Sequence, residues 1–191
     1  MISILKNKTF LLFFLGNIIS LLGFGFNLIA TSWLVLSETG SEFTLGKIIA
    51  SATIPGLIIS LFTGYIIDKT NRKWLLVALD LFRVVVIVIF LVSIQLYQFE
   101  IIFLYPVVFF MGIGNSLFWS TSHAFTQEIV NDKDYFNANK LLSASFQIGS
   151  ILGASIGGII VHIFNPFIAL WMNVLTYIIS GILISMAPFK N

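Results

Sequence analysis

Cysteine is absent from the 191 residues, and charge is scarce, with ten lysines and arginines, eight aspartates and glutamates, and two histidines. Without a thiol there is no disulfide framework, no cysteine nucleophile and no thiolate metal site. His123 and His162 stand apart from any carboxylate or second histidine at ligand spacing, so no metal donor set is expected. No Gly-x-Ser-x-Gly elbow and no phosphate-cradling glycine loop occurs, which leaves no expected catalytic nucleophile, enzyme activity or cofactor. A net charge of +2 is too small to point to nucleic acid. Charged residues make up 9% of the chain, against roughly 25% in a soluble domain.

What the chain has instead is apolar length. Hydrophobic residues account for 58% of it, and mean hydropathy is +1.03. Six apolar runs, approximately 10–36, 45–67, 74–96, 101–121, 137–161 and 167–186, are each close to or above the roughly 20 residues that a helix needs to cross a bilayer. Membrane strands alternate and last only about 10 residues, so the runs predict helices. Between them lie Ser37–Glu42, the charged turn Asp68–Lys73, Tyr97–Glu100, a long polar segment from His123 to Phe136, and Asn165-Pro166. The first run is too long for a cleavable signal core of roughly 7–15 residues and reads as a retained span. The expected fold class is an all-α membrane protein of six transmembrane helices in one bundle domain, residues 1–191.

Lysine and arginine set the expected orientation, because cytoplasmic loops carry an excess of them. An N-terminus in the cytoplasm puts Lys6, Lys8, Lys69, Arg72, Lys73, Lys133, Lys140 and Lys190 on that side and only Lys47 on the other. Six spans then return the C-terminus to the cytoplasm. The abundance of Ile, Asn, Lys and Phe fits a bacterial inner-membrane protein from an A+T-rich genome.

The segment Gly64-Tyr65-Ile66-Ile67-Asp68-Lys69-Thr70-Asn71-Arg72-Lys73 packs four charges between two long apolar runs. It closely resembles the loop between helices 2 and 3 of the major facilitator superfamily, Gly-x-x-x-Asp-Arg/Lys-x-Gly-Arg-Arg/Lys. Asn71 stands where that pattern has glycine, and asparagine is expected to keep the left-handed turn. Gly149-x-x-x-Gly153-Ala154-x-x-Gly157-Gly158 likewise resembles the glycine-rich helix 5 of the superfamily's exporters, with Ala154 in place of proline. Ser32–Ser41, Gln127-Glu128-Ile129-Val130 and Asn137-Ala138-Asn139 resemble the macrolide-efflux-like branch.

The resemblance covers nearly the whole chain but half of the family's architecture, in which two six-helix halves rock around a midplane cavity. It implies the N-terminal half of a secondary active transporter, an efflux carrier for amphipathic small molecules working by alternating access. The expected partners are the lipid bilayer, a small-molecule substrate and a second six-helix half in the same or another chain. From a different functional class comes the alternative of a non-transporting six-helix remnant or partner-binding module that keeps the family's packing.

By the same resemblance Asp68 faces a helix N-terminus of the other half and latches the cytoplasmic side, an arrangement that an anion favours by roughly 0.3–1 kcal/mol. Arg72 is its in-chain partner and Glu128 extends the relay, with Gly64, Lys69 and Lys73 completing the motif. The alternative is a set of topology-setting cations with Asp68 solvated. Asp80 and Arg83, three residues apart on one helix face, can pair within the membrane, either as structure or as part of the gate or of proton coupling. Phe24 stands where many relatives carry an acid, which leaves helix-one proton coupling without a carrier.

Asn17, Ser20, Asn27 and Thr31 form a polar stripe on span one. Helices one and four line the cavity in the resembling fold, which makes Asn27, Asn115 and Trp119 the substrate-contact candidates. Asn173, Tyr177 and Ser180 form a similar stripe on span six. Hydrogen bonding between helices is the plainer reading of these groups. Gly149, Gly153, Gly157 and Gly158 offer a close-packing face, which the resemblance assigns to the other half.

Overall fold

The computed structural model describes residues 4–189; Lys190, counted above as cytoplasmic, lies outside the described residues. After a 3-10 turn at Ile4–Lys6, six helices follow: α1 (Lys8–Thr39), α2 (Glu42–Lys69), α3 (Arg72–Leu96), α4 (Leu104–Ile129), α5 (Asp132–Ile163) and α6 (Pro166–Ser185). All six are long and apolar enough to cross a membrane. No strand occurs among the described residues.

The helix ends are written locally. Asn7, Ser41, Asn71 and Asn165 each accept a backbone N–H of the first turn of α1, α2, α3 and α6, and Pro166 opens α6 where a missing N–H costs nothing. Gly40 ends α1 in the left-handed conformation at φ 58°, leaving a connection of two residues before α2. Asn71 departs from expectation. Its φ of −71° and ψ of 113° are extended, because its side chain caps α3 by accepting from Trp74 N–H, so the left-handed turn is not made.

A second difference concerns the polar segment His123–Phe136. Helix α4 runs on to Ile129, α5 begins at Asp132, and only Val130 and Asn131 connect them. Polarity there marks helix ends that reach past the apolar layer. Asp132 and Asp134 in the first turn of α5 complement the partial positive charge of that helix end.

Around the bundle the packed neighbours run α5, α1, α6, α3, α4, α2. Helices α1 and α2, although consecutive, barely touch. Two apolar cores result, one including Phe10, Phe13, Phe118, Phe125 and Leu142, the other including Ile48, Ile87, Leu104, Val161 and Leu170. Between them, at mid-height on α1, α3, α4 and α6, lie Ser20, Asp80, Arg83, Asn115 and Ser180.

Candidate functional site

The N-terminus of α1, the α2–α3 turn, the α4–α5 turn and the C-terminus of α6 meet at one end of the bundle. Asn7 Nδ2 donates to the Ile129 carbonyl at 3.0 Å, and Thr9 Oγ1 donates to the Pro188 carbonyl at 2.7 Å. At this end Arg72 stands between two acids, with Nη2 3.8 Å from Asp68 Oδ1 and Nη1 3.4 Å from Glu128 Oε2. The Arg72 Nη1 also donates to the Ala124 carbonyl at 3.3 Å. Asp68 keeps 76% of its side chain exposed, so its pair with Arg72 contributes at most about 1 kcal/mol. That leaves the carboxylate available to a further partner.

Lys69 lies exposed over the Tyr65 ring, 5.8 Å from its centroid. Lys73 is separate from the relay expected for it. It is buried, and its Nζ donates to the Ala187 carbonyl at 2.7 Å, tying α3 to the chain just after α6. A cation there suits the negative end of that helix. Gly64 has open space where a Cβ would stand.

Asp80 and Arg83 form a buried ion pair. Arg83 is eleven residues beyond Arg72, about 17 Å along the helix at 1.5 Å per residue, which puts it near the middle of a bilayer core about 30 Å thick. A charge pair is tolerable there only when its remaining donors and acceptors are met. The Ser180 hydroxyl donates to Asp80 Oδ2 at 2.7 Å and the Ser20 hydroxyl to Oδ1 at 3.3 Å. Arg83 donates from Nε to the Leu79 carbonyl at 3.3 Å, from Nη1 to Asn115 Oδ1 at 3.1 Å and from Nη2 to Ser20 Oγ at 3.2 Å. Its guanidinium lies 4.2 Å from the ring centroids of both Phe118 and Tyr177, a cation–π sandwich. Four helices thus converge on one ion pair. The i, i+3 spacing of Asp80 and Arg83 was legible; the contributions of Ser20, Asn115, Phe118, Tyr177 and Ser180 come from packing and carry no sequence spacing of their own.

Where α1 and α2 diverge, a cavity of about 460 Å³ opens between α1, α2 and α4. Its wall is mostly apolar, with Asn27, Thr31, Ser32, Thr53, Ser60, Asn115 and Ser116 as polar points and no charged side chain. Asn27 and Asn115 therefore line one cavity, from α1 and α4. Trp119 is not part of it; its ring packs against Phe146 at 4.8 Å and His123 at 4.7 Å, toward α5. Asn27 Nδ2 is enclosed and has no protein partner, a condition that costs about 1–3 kcal/mol while it lasts. Asn17, from the same sequence stripe, instead donates to the Ser145 hydroxyl at 3.2 Å, joining α1 to α5.

The glycine face of α5 also differs from expectation. A Cβ at Gly149 would stand 2.7 Å from Leu21 Cβ, one at Gly157 3.2 Å from Phe26 Cα, and one at Gly153 would overlap the Leu22 carbonyl oxygen. These three are filled by α1 of the same bundle, because their small surfaces let the two backbones cross closely. Of the expected interdomain set only Gly158 is open. A second close crossing, unread in the sequence, joins α2 to α4, where a Cβ at Gly112 would overlap the Ala52 carbonyl and Ser116 Oγ donates to the Gly56 carbonyl at 2.9 Å.

This geometry defines a multi-pass helical membrane bundle with a polar layer at mid-height and a cavity beside it. The chain belongs to the transmembrane secretion effector family of the major facilitator superfamily, whose pattern it matches over residues 1–190. It is similar to the putative multidrug resistance protein MdtD of Pectobacterium atrosepticum, 30% identical over 164 residues, which are 84% of this chain and 34% of that protein. It is also similar to the uncharacterized MFS-type transporter YkuC of Bacillus subtilis, 23% identical over 95% of this chain and 42% of that protein. The multidrug efflux pump Tap of Mycolicibacterium fortuitum is 21% identical over 88% of this chain and 42% of that protein. The chain thus spans 34% to 42% of the length of these relatives.

Proposed function

We propose that this chain is the N-terminal six-helix half of a secondary active transporter that exports amphipathic small molecules by alternating access. The observation that carries this reading is the uncharged cavity between α1, α2 and α4, largely apolar with isolated amides and hydroxyls on its wall. Such a surface suits a solute with an apolar body and few polar groups. Two of the relatives bear multidrug names, which supports the same substrate class. A second six-helix half, on the same or another polypeptide, closes the cavity on its remaining side.

In this reading the end that carries Asp68, Arg72 and Glu128 is cytoplasmic, as are both termini. The exposed Asp68 then meets a helix N-terminus of the second half when that side is shut and leaves it when that side opens. Arg72 holds the carboxylate in place between those events.

The test is export of a fluorescent amphipath by the complete carrier in proteoliposomes. Saturable, gradient-dependent flux is expected, and Asp68→Asn lowers its rate about tenfold or more, equivalent to ~1.4 kcal/mol in a limiting step. Flux no greater than in protein-free vesicles contradicts the proposal. So does a source-membrane polypeptide of 21.3 kDa, the mass of this chain, with no six-helix companion; that result favours the non-transporting reading.

A further inference from the structure

Asn115 belongs to two sites at once. It lies on the cavity wall, and its side-chain oxygen accepts from Arg83 Nη1 at 3.1 Å. A guanidinium is a donor only, so the amide cannot turn around without setting NH₂ against N–H. The orientation of Asn115 is fixed by chemistry, and Arg83 is itself locked by Asp80, Ser20, the Leu79 carbonyl and two aromatic faces. The Asn115 NH₂ makes no hydrogen bond among the described residues and is left to the cavity. Asn27, which lines the same cavity from α1, has an enclosed NH₂ without a protein partner.

We propose that this cavity reads a hydrogen-bond acceptor, a carbonyl or ether oxygen of a neutral amphipathic molecule, through the NH₂ groups of Asn115 and Asn27, with Arg83 as the residue that positions Asn115. The assignment rests on the transporter reading and names the chemistry of its ligand. No charged side chain lines the cavity and the Thr53, Ser60 and Ser116 hydroxyls donate to backbone carbonyls, which leaves the two amides, with the Thr31 and Ser32 hydroxyls, as its free polar groups among the described residues. A site built around unpaired donors discriminates against a solute that lacks the matching acceptor, because binding then leaves the donors sealed away from water.

The experiment measures equilibrium binding to the complete carrier in nanodiscs, with empty discs subtracted. The probes are Nile red, a neutral dye with carbonyl and ether oxygens, and 1,6-diphenylhexatriene, a neutral apolar rod without an acceptor. Asn27→Leu and Asn115→Leu each raise the Nile red Kd about fivefold to tenfold, the loss of one ordinary hydrogen bond, and leave diphenylhexatriene unchanged. Asn27→Leu removes a donor that has no protein partner, so the fold is not at risk in that variant. Arg83→Lys, which still donates to Asn115 Oδ1, keeps the ratio of the two affinities within about twofold of the wild-type ratio, the margin of a weak surface contact. Arg83→Gln, which offers an oxygen and frees the amide to turn, lowers that ratio to the Asn115→Leu value. Parallel weakening of both probes by the leucine variants overturns the proposal, as does the absence of any change or of saturable Nile red binding. A carrier that binds Nile red through the two amides but moves nothing in vesicles supports the ligand assignment while contradicting the transporter reading.

Discussion

Asp80 and Arg83 form a buried ion pair whose net contribution to stability is small, and its weight appears when one partner alone is removed. Arg83→Met leaves a carboxylate buried without its cation and is expected to cost about 3–5 kcal/mol, read as a fall in thermal unfolding temperature of the purified protein. Joining it to Asp80→Leu is expected to recover a large part of that loss, because two apolar groups of similar volume replace a pair whose desolvation was only just offset. Equal loss in the single and double variants would contradict this. Ser180→Ala removes one hydrogen bond from Asp80 Oδ2 and is expected to cost about 1–3 kcal/mol, because an acceptor of the buried carboxylate is left unmet. At the charged end the balance reverses. Asp68→Asn, at a largely exposed carboxylate, is expected to change unfolding by less than about 1 kcal/mol, so its effect on flux is separable from any effect on folding.

Close backbone approach is what the element scale adds. The α1–α5 and α2–α4 crossings both depend on glycine, and Gly153→Ala and Gly112→Ala each force a methyl group against a neighbouring carbonyl. Each is expected to destabilise the bundle by about 1–3 kcal/mol in thermal unfolding. Gly158→Ala and Gly64→Ala meet open space, and their effect on unfolding is expected to stay within about 0.5 kcal/mol. A stability loss at Gly158 as large as that at Gly153 would mean that the open face is already occupied within this chain. Helix α2 also carries Pro55 near its middle, which leaves the Ser51 carbonyl without its helical donor.

The sequence was most legible where length decides. Six apolar runs became six helices, because a membrane leaves few alternatives for 20 apolar residues in a row. It was less legible where polarity has two meanings. His123–Phe136 reads as a loop, yet carries the end of α4 and the start of α5, since helices that cross a membrane continue into water on either side. Asn71 reads as a left-handed turn from its place in a motif, yet acts as an N-cap, a role its side chain fills equally well. Within the candidate site, helical spacing picked out Asn27 on its polar stripe and the pair Asp80 and Arg83, whereas Asn115 and Trp119 were named from the family resemblance. The resemblance did not separate Trp119, which packs toward α5, from Asn115 on the cavity wall, because both lie on α4 and their separation depends on how its neighbours pack. Lys73 shows the same limit. Adjacent in sequence to Arg72, it points to the α6 end, one residue being enough to rotate a side chain by about 100° around a helix.

For the whole molecule, the cavity between α1, α2 and α4 has to be reachable from one face of the membrane at a time if this bundle is half of an alternating-access carrier. The chain contains no cysteine, so a single substitution supplies a unique thiol within it. The most direct measurement places Thr31→Cys or Ser60→Cys on the cavity wall of the complete carrier, its other cysteines replaced by serine, and follows labelling by a membrane-impermeant maleimide. Right-side-out and inside-out vesicles are compared with and without a transported amphipath. Labelling is expected from both faces, with a shift in the balance between them when the amphipath is added, and none at Ser145→Cys, which is buried between α1 and α5. Cavity thiols that react from neither face, or from one face alone whatever the amphipath concentration, would contradict alternating access.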